Sequence, residues 1–271
     1  MSACTLIDKA DVTPEMLAKL KFSFDDIYSS AENIEAASLA VKDANKKDFA
    51  MIPFCHTVEA KALGGDIFPG DDTAGPRTRS YIYKNMDELK IFSFNDFKDL
   101  QNLAQACKNL KAKGEKVAWM ITGPISIISS LLPIEQIFKT WRKEPDKIIK
   151  AFNELKDALL ESVKLICESG CDMISYADPA GNLDILGPRN AAFISQHFTA
   201  PFLKEAIEIC KQYNTILSVC PLTAEALQKS NLFDDEHRNE RLERDEHDGI
   251  VCSCVKLIPN FNSRAKARPL I

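Results

Sequence analysis

The stretch KVAWMIT, residues 116–122, closed by Gly123-Pro124, decides how this chain folds. An apolar run of this length ending in a Gly-Pro turn reads as a buried strand. Just before it, Phe97, Leu100, Ala104, Cys107 and Leu110 recur at helical spacing, with Asn95 as the expected cap and Gly114 as the stop. Just after it, residues 125–132 continue as a short apolar helix. A second helix is expected from Pro145, where Ile148, Phe152, Leu155, Leu159, Val163 and Ile166 form a stripe that Gly170 ends. The pattern around the opening strand is therefore helix, strand, helix.

Working outward, the same alternation recurs. Residues 49–54, 172–177, 215–220 and 250–254 read as further buried strands, and residues 80–84 alternate like one. Residues 13–47 read as helical, opened by Thr13-Pro14-Glu15. A helical stretch over 58–63 stops at Gly64-Gly65, residues 69–78 read as a loop, and Gly187-Pro188 is expected to open a helix reaching Tyr213. Strands alternating with helices at this pace imply an α/β domain with parallel strands. Residues 234–248 stand apart. Their dense mixed charge, with His237 and His247, reads as a solvated segment or as an arm for a metal or partner.

Composition narrows the function. With 271 residues, 27% charged, and a net charge of -5, the chain lacks the basic balance of a nucleic-acid binder. It has no apolar run long enough for a membrane span, and its first residues lack the apolar core of a secretory signal. Nine cysteines in such a chain point to a reducing, cytoplasmic setting in which thiols are core residues or ligands. Cys107, Cys167 and Cys210 fall on apolar helix faces and read as core.

The chemistry-bearing residues cluster at strand ends, where a (β/α) barrel builds its active site. Cys220 closes one strand and Cys254 another. Cys252 and Cys254 on one strand point to the same side, because side chains alternate, and soft thiolates there suit zinc or a buried core equally. Asp178, directly after a strand and before Pro-Ala-Gly, is suited to proton or ligand work or to capping a turn. Tyr176 lies two residues earlier on the same side of its strand. His56 ends a strand with Glu59 three residues on, a pair able to share a proton or ligate a metal. Arg77 and Arg79 flank the loop and are able to hold an anion.

Four stretches together carry a family likeness: PFCHTVEAKALG (53–64), TGPIS (122–126), ISYADPAG (174–181) and VCPLT (219–223). With Cys254-Val-Lys256, they resemble the uroporphyrinogen decarboxylase superfamily, and in particular its zinc-dependent corrinoid methyltransferase branch. The resemblance implies a TIM-type (β/α)8 barrel over residues 47–258, reduced near its C-terminal end, after an N-terminal helical extension over 1–46, all in one domain. It implies zinc on Cys220 and Cys254, with Cys252, His56 and Glu59 as candidates to complete the site, because Ser218 stands where the branch has a histidine. It implies methyl transfer between methylcobalamin, carried by a corrinoid partner protein, and a small methyl donor or acceptor such as a thiol. Asp178, His56 and Tyr176 are the expected catalytic residues. Glu59, Gly123, Pro124, Gly181 and Arg77 are expected to border the substrate. A decarboxylase-like enzyme acting on another carboxylate, centred on Asp178, and a non-catalytic barrel that binds a corrinoid protein or ligand are the alternatives. His56 stands where decarboxylases place an aspartate, and no arginine-rich motif precedes residue 50.

Overall fold

A computed structural model describes residues 12–232 and the short strand at 251–252. Thr13 caps α1 (Pro14–Leu20) by accepting from the Met16 N–H, and Lys21, left-handed at φ 62°, ends it. The helical region expected over 13–47 is therefore broken. A 3₁₀ turn at Phe24–Asp26 follows, and Ser30 caps α2 (Ala31–Ala44). Then come β1 (Phe49–Ile52), α3 (Val58–Ala62), β2 (Asp66–Phe68), β3 (Arg77–Ser80), α4 (Lys98–Ala112) and β4 (Lys116–Thr122). The chain continues with α5 (Pro124–Ser129), α6 (Ile134–Lys143), α7 (Pro145–Glu168), β5 (Met173–Ala177), α8 (Leu183–Ile194), α9 (Ala200–Gln212), β6 (Ile216–Val219), α10 (Pro221–Lys229) and β7 (Val251–Cys252).

Three local expectations are corrected. The strand read over 80–84 sits earlier, as β3, and pairs antiparallel with β2 inside what reads as a loop. The Ile82 and Tyr83 N–H groups donate instead to the Leu131 carbonyl, so this stretch is tied to the segment after α5. Asn95 does not cap α4, whose cap is Phe97. The Asn95 side chain accepts from the Ser162 hydroxyl, stitching the segment before α4 to α7. Helix α8 opens at Asn182, which accepts from the Ile185 N–H, and Gly187 at φ 71° is a kink inside it. A wide π-helical turn at Ser195–Thr199 links α8 to α9.

Strands β1, β4, β5, β6 and β7 form one parallel sheet in that order, and β2–β3 form a separate pair. The parallel strands follow chain order, so each right-handed crossover steps the same way and lays its helix on the same face. Singly wound order of this kind is that of a (β/α) barrel. Five parallel strands in this order are present among the described residues, consistent with a TIM-type barrel.

The two faces of the sheet differ. Trp119, Ile121, Ile174, Tyr176, Leu217 and Val219 point to the helix layer, where they join Leu103, Leu110, Phe152 and Leu159 in the main core. The other face carries a small second cluster of Phe49, Met51, Ala118, Met120 and Met173, with Ile216 against it. Cys107, Cys167 and Cys210 are buried in the helix layer, as their helical spacing implies. Among the described residues no helix is long and apolar enough to cross a membrane.

Candidate active site

Reading the register across the inner face shows where chemistry is possible. One row is Met51, Ala118, Met173 and Ile216, all apolar. The next row toward the C-terminal ends is Met120, Ser175 and Ser218, and the one after pairs Thr122 with Ala177. Cys220 follows directly after β6, half-buried, and its N–H donates to the Tyr176 carbonyl at 2.8 Å. The face thus turns from apolar to polar at the end where parallel strands place their sites.

Thr122 ties the end of β4 to α3. Its N–H donates to Glu59 Oε1 at 2.9 Å, and its hydroxyl lies 3.5 Å from His56 Nδ1. Glu59 is 5% exposed, and its Oε2 is buried without a hydrogen-bond partner. Burial raises the Glu59 pKa above the ordinary carboxylate value, and the Thr122 N–H only partly offsets this. His56 itself is half-buried at the rim.

Asp178 is also buried, at 3% exposure. Its Oδ1 accepts from the Ser126 N–H at 2.9 Å and the Ser126 hydroxyl at 2.7 Å, and its Oδ2 accepts from the Ile125 N–H at 3.1 Å. Ile125 and Ser126 lie in the first turn of α5, whose own cap residue, Gly123, has no side chain to offer. Asp178 therefore caps a helix from another strand. The Ser126 hydroxyl in turn accepts from the Ala180 N–H at 2.9 Å. This weld joins the turns after β4 and β5. Burial pushes the Asp178 carboxyl up, and the donors from Ser126 and Ile125 pull against it.

The weld explains two glycines. A Cβ on Gly123 would lie 2.4 Å from the Asp178 Cβ, and one on Gly181 would lie 2.3 Å from Asp178 Oδ2. Neither position has room for a side chain. Pro124, at the first position of α5, completes this wall and is buried. Tyr176 packs its ring 5.2 Å from that of Phe202, and its buried hydroxyl, which has no hydrogen-bond partner, reaches the same wall, 2.7 Å from where a Gly123 Cβ would lie. Burial raises its pKa well above the ordinary phenol value, and the Asp178 charge adds to this. Arg77 lies on the β2–β3 hairpin, 2.9 Å from Asp71 Oδ2 and stacked 4.5 Å from the Phe68 ring centroid. The guanidinium holds the Asp71 carboxyl far below its ordinary range. Ser126 and Thr122, the links that unite these groups, show no period or spacing that marks them, although both lie in the TGPIS stretch.

A thiolate zinc site needs three or four donors. Among the described residues no three His, Cys, Asp or Glu side chains converge on one point. Of the expected sulfur ligands, Cys220 is described with its side chain, Cys252 as backbone in β7, and Cys254 lies outside the described residues, as does the charged segment 234–248. Strand β7 runs parallel beside β6, with the backbone of Cys252 in register with Val219.

Comparison with known proteins identifies the family. Residues 12–230 match the family model described as Uroporphyrinogen decarboxylase (URO-D). Two curated proteins, both methylcobamide:CoM methyltransferase MtaA, from Methanosarcina barkeri strain Fusaro and from Methanosarcina barkeri, are each 23% identical over 216 residues. The matches take in 75% of this chain and 63% of each relative's length. A solved methyltransferase from Methanosarcina mazei superposes with a TM-score of 0.66 at 17% identity, over 83% of this chain and 66% of that one. That likeness establishes the shared fold. A family match over most of its length, on a singly wound parallel sheet, means that the chain belongs to the uroporphyrinogen decarboxylase (URO-D) family.

Proposed function

We propose that the chain is a methyltransferase that moves a methyl group between a corrinoid carried by a partner protein and a small thiol or other methyl donor or acceptor. The observation that carries this reading is the polar rim. The inner face gains Ser175, Ser218 and Thr122 at its C-terminal end, and the strands leading to Cys220 and bearing Cys252 are parallel neighbours there. The methyltransferase names of the Methanosarcina relatives support it.

Cys220, Cys252 and Cys254 are the residues that would hold zinc, whose chemistry is to keep a bound thiol nucleophilic near neutral pH. The other roles belong to the chain's own groups. His56, half-buried beside the Thr122 hydroxyl, takes the proton that the thiol gives up. Asp178 acts as a positioning residue, since its oxygens are engaged by α5. By locking the turns after β4 and β5 it holds Gly123, Pro124 and Gly181 as a fixed wall of the substrate space. Glu59 fixes the end of β4 through the Thr122 N–H. Decarboxylation of a carboxylated substrate is less well served, because Arg77 and Arg79 are already paired with Asp71 and Asp66.

The test is metal content. Protein dialysed against trace zinc is expected to keep about one zinc per chain, and Cys220→Ala is expected to lose it. Wild-type protein that stays zinc-free yet consumes a carboxylated substrate would overturn the proposal.

A further inference from the structure

A concave site shares no lining residue with the rim. A cleft of about 830 Å³ opens between α6, the first turn of α7 and α8. Its volume is within the range of about 300–1,000 Å³ usual for small-molecule sites. Its walls are aromatic and aliphatic. Phe138 and Trp141 stack with centroids 6.5 Å apart, Phe193 lies 4.8 Å from Trp141, and Ile185 is 54% exposed at the lip.

Charge separates this cleft from an ordinary groove. Arg142 and Arg189 both line it and are exposed, and no Asp or Glu does. Neither arginine makes an ion pair or hydrogen bond with a described residue. Arg77 and Arg79, by contrast, are each paired with a carboxylate. Two guanidinium groups without a carboxylate partner among the described residues, on a chain of net charge -5, make a local cationic site. Guanidinium geometry suits carboxylate, phosphate or sulfonate oxygens, and the aromatic walls suit a planar apolar body.

The cleft lies at the active end of the sheet. Helix α8 begins just after β5 ends, α6 follows β4 and α5, and α7 starts at Pro145 before running back to β5. All three lining segments therefore meet where the strands have their C-terminal ends.

We propose that the cleft between α6 and α8 binds a small organic anion with a planar apolar body, its acidic group held by Arg142 and Arg189. The proposal goes beyond the methyl-transfer reading and does not depend on it. The probe is 8-anilinonaphthalene-1-sulfonate, with N-phenyl-1-naphthylamine as its uncharged analogue, titrated into the full chain by fluorescence. The sulfonate is expected to bind at one site per chain, at least tenfold more tightly than the neutral probe. The double variant Arg142→Gln/Arg189→Gln is expected to weaken the sulfonate by about tenfold or more and leave the neutral probe unchanged. Both arginines are exposed, and an unchanged thermal melt checks that the variant is folded. Ile185→Asp is expected to weaken both probes. Equal binding of the sulfonate to wild type and double variant, or no saturable binding, overturns the proposal. A wild-type protein that sediments as a dimer and becomes monomeric on Ile185→Asp would assign the cleft to self-association and overturn it as well.

Discussion

Removing the Asp178 carboxyl should unlock two turns at once, and the cost follows from its partners. Asp178→Ala strands the buried N–H groups of Ile125 and Ser126 and takes the acceptor from the Ser126 hydroxyl. Each unsatisfied buried donor costs about 1–3 kcal/mol, and relief from burying a carboxylate offsets part of the sum. A net loss of about 3 kcal/mol is expected, which for a chain of this size lowers Tm by roughly 6–12 °C. Asp178→Asn keeps an oxygen for Ser126 but turns an NH₂ toward the Ile125 N–H, so it should cost about 1–2 kcal/mol. The order alanine worse than asparagine is part of the expectation. The coupling is testable too. Ser126→Ala should cost clearly less in the Asp178→Ala background than in wild type, because the two groups share one network. Equilibrium urea unfolding of wild type and the four variants measures all of this. An Asp178→Ala loss below about 1 kcal/mol, far short of the stranded-donor cost, or strict additivity with Ser126→Ala, would refute the weld.

Three further outcomes follow from the same geometry. Gly123→Ala should destabilise by about 2 kcal/mol or more, since its Cβ would lie 2.4 Å from that of Asp178; a melt matching wild type would show that the turn can move. Tyr176→Phe should leave stability within about 1 kcal/mol of wild type, because it removes a buried hydroxyl that has no partner. Because that hydroxyl lies beside Gly123, a loss of turnover in the stably folded variant would place it in the chemistry, and retained turnover would leave it a packing group. Glu59→Gln tests a pH dependence. Burial raises the folded pKa of Glu59 above 4.5, so the native state binds that proton more tightly than the unfolded state. Its contribution to stability is then greatest below the unfolded pKa and is lost as pH rises to the folded one. Glutamine has no such loss, so Glu59→Gln should gain on wild type as pH rises through that window; a difference that is flat with pH would contradict it.

The sheet was legible because four of its five strands are apolar over most of their length and bounded by turn residues. Residues 116–122 coincide with β4, and Pro145 opens α7 as its position implies. The β2–β3 hairpin was not legible, because RTRS carries no apolar alternation and its support comes from Arg77 and Arg79 over Phe68, a contact between distant positions. Helix α6 lies between Pro133 and Pro145 and was not anticipated, although Ile134, Ile137, Phe138 and Trp141 recur at helical spacing. At the site, the ends of β4, β5 and β6 were legible, and Tyr176 and Asp178 share one side as alternation implies, both lying beside Gly123. Strand β5 is buried on both faces, so alternation does not mark which face Tyr176 takes. The weld of Asp178 to α5 joins residues 52 and 53 positions apart, beyond the reach of local pattern.

The central claim, that this family member transfers methyl groups through thiols gathered at Cys220, is tested most directly by demethylation of methylcobalamin with a simple thiol in the presence of zinc. The loss of the methyl–cobalt absorbance should be catalysed by the wild-type chain and abolished by Cys220→Ala, while Cys107→Ala, in the helix layer, retains it. Demethylation that proceeds equally with Cys220→Ala, or no demethylation by a zinc-loaded wild-type chain, would contradict the account.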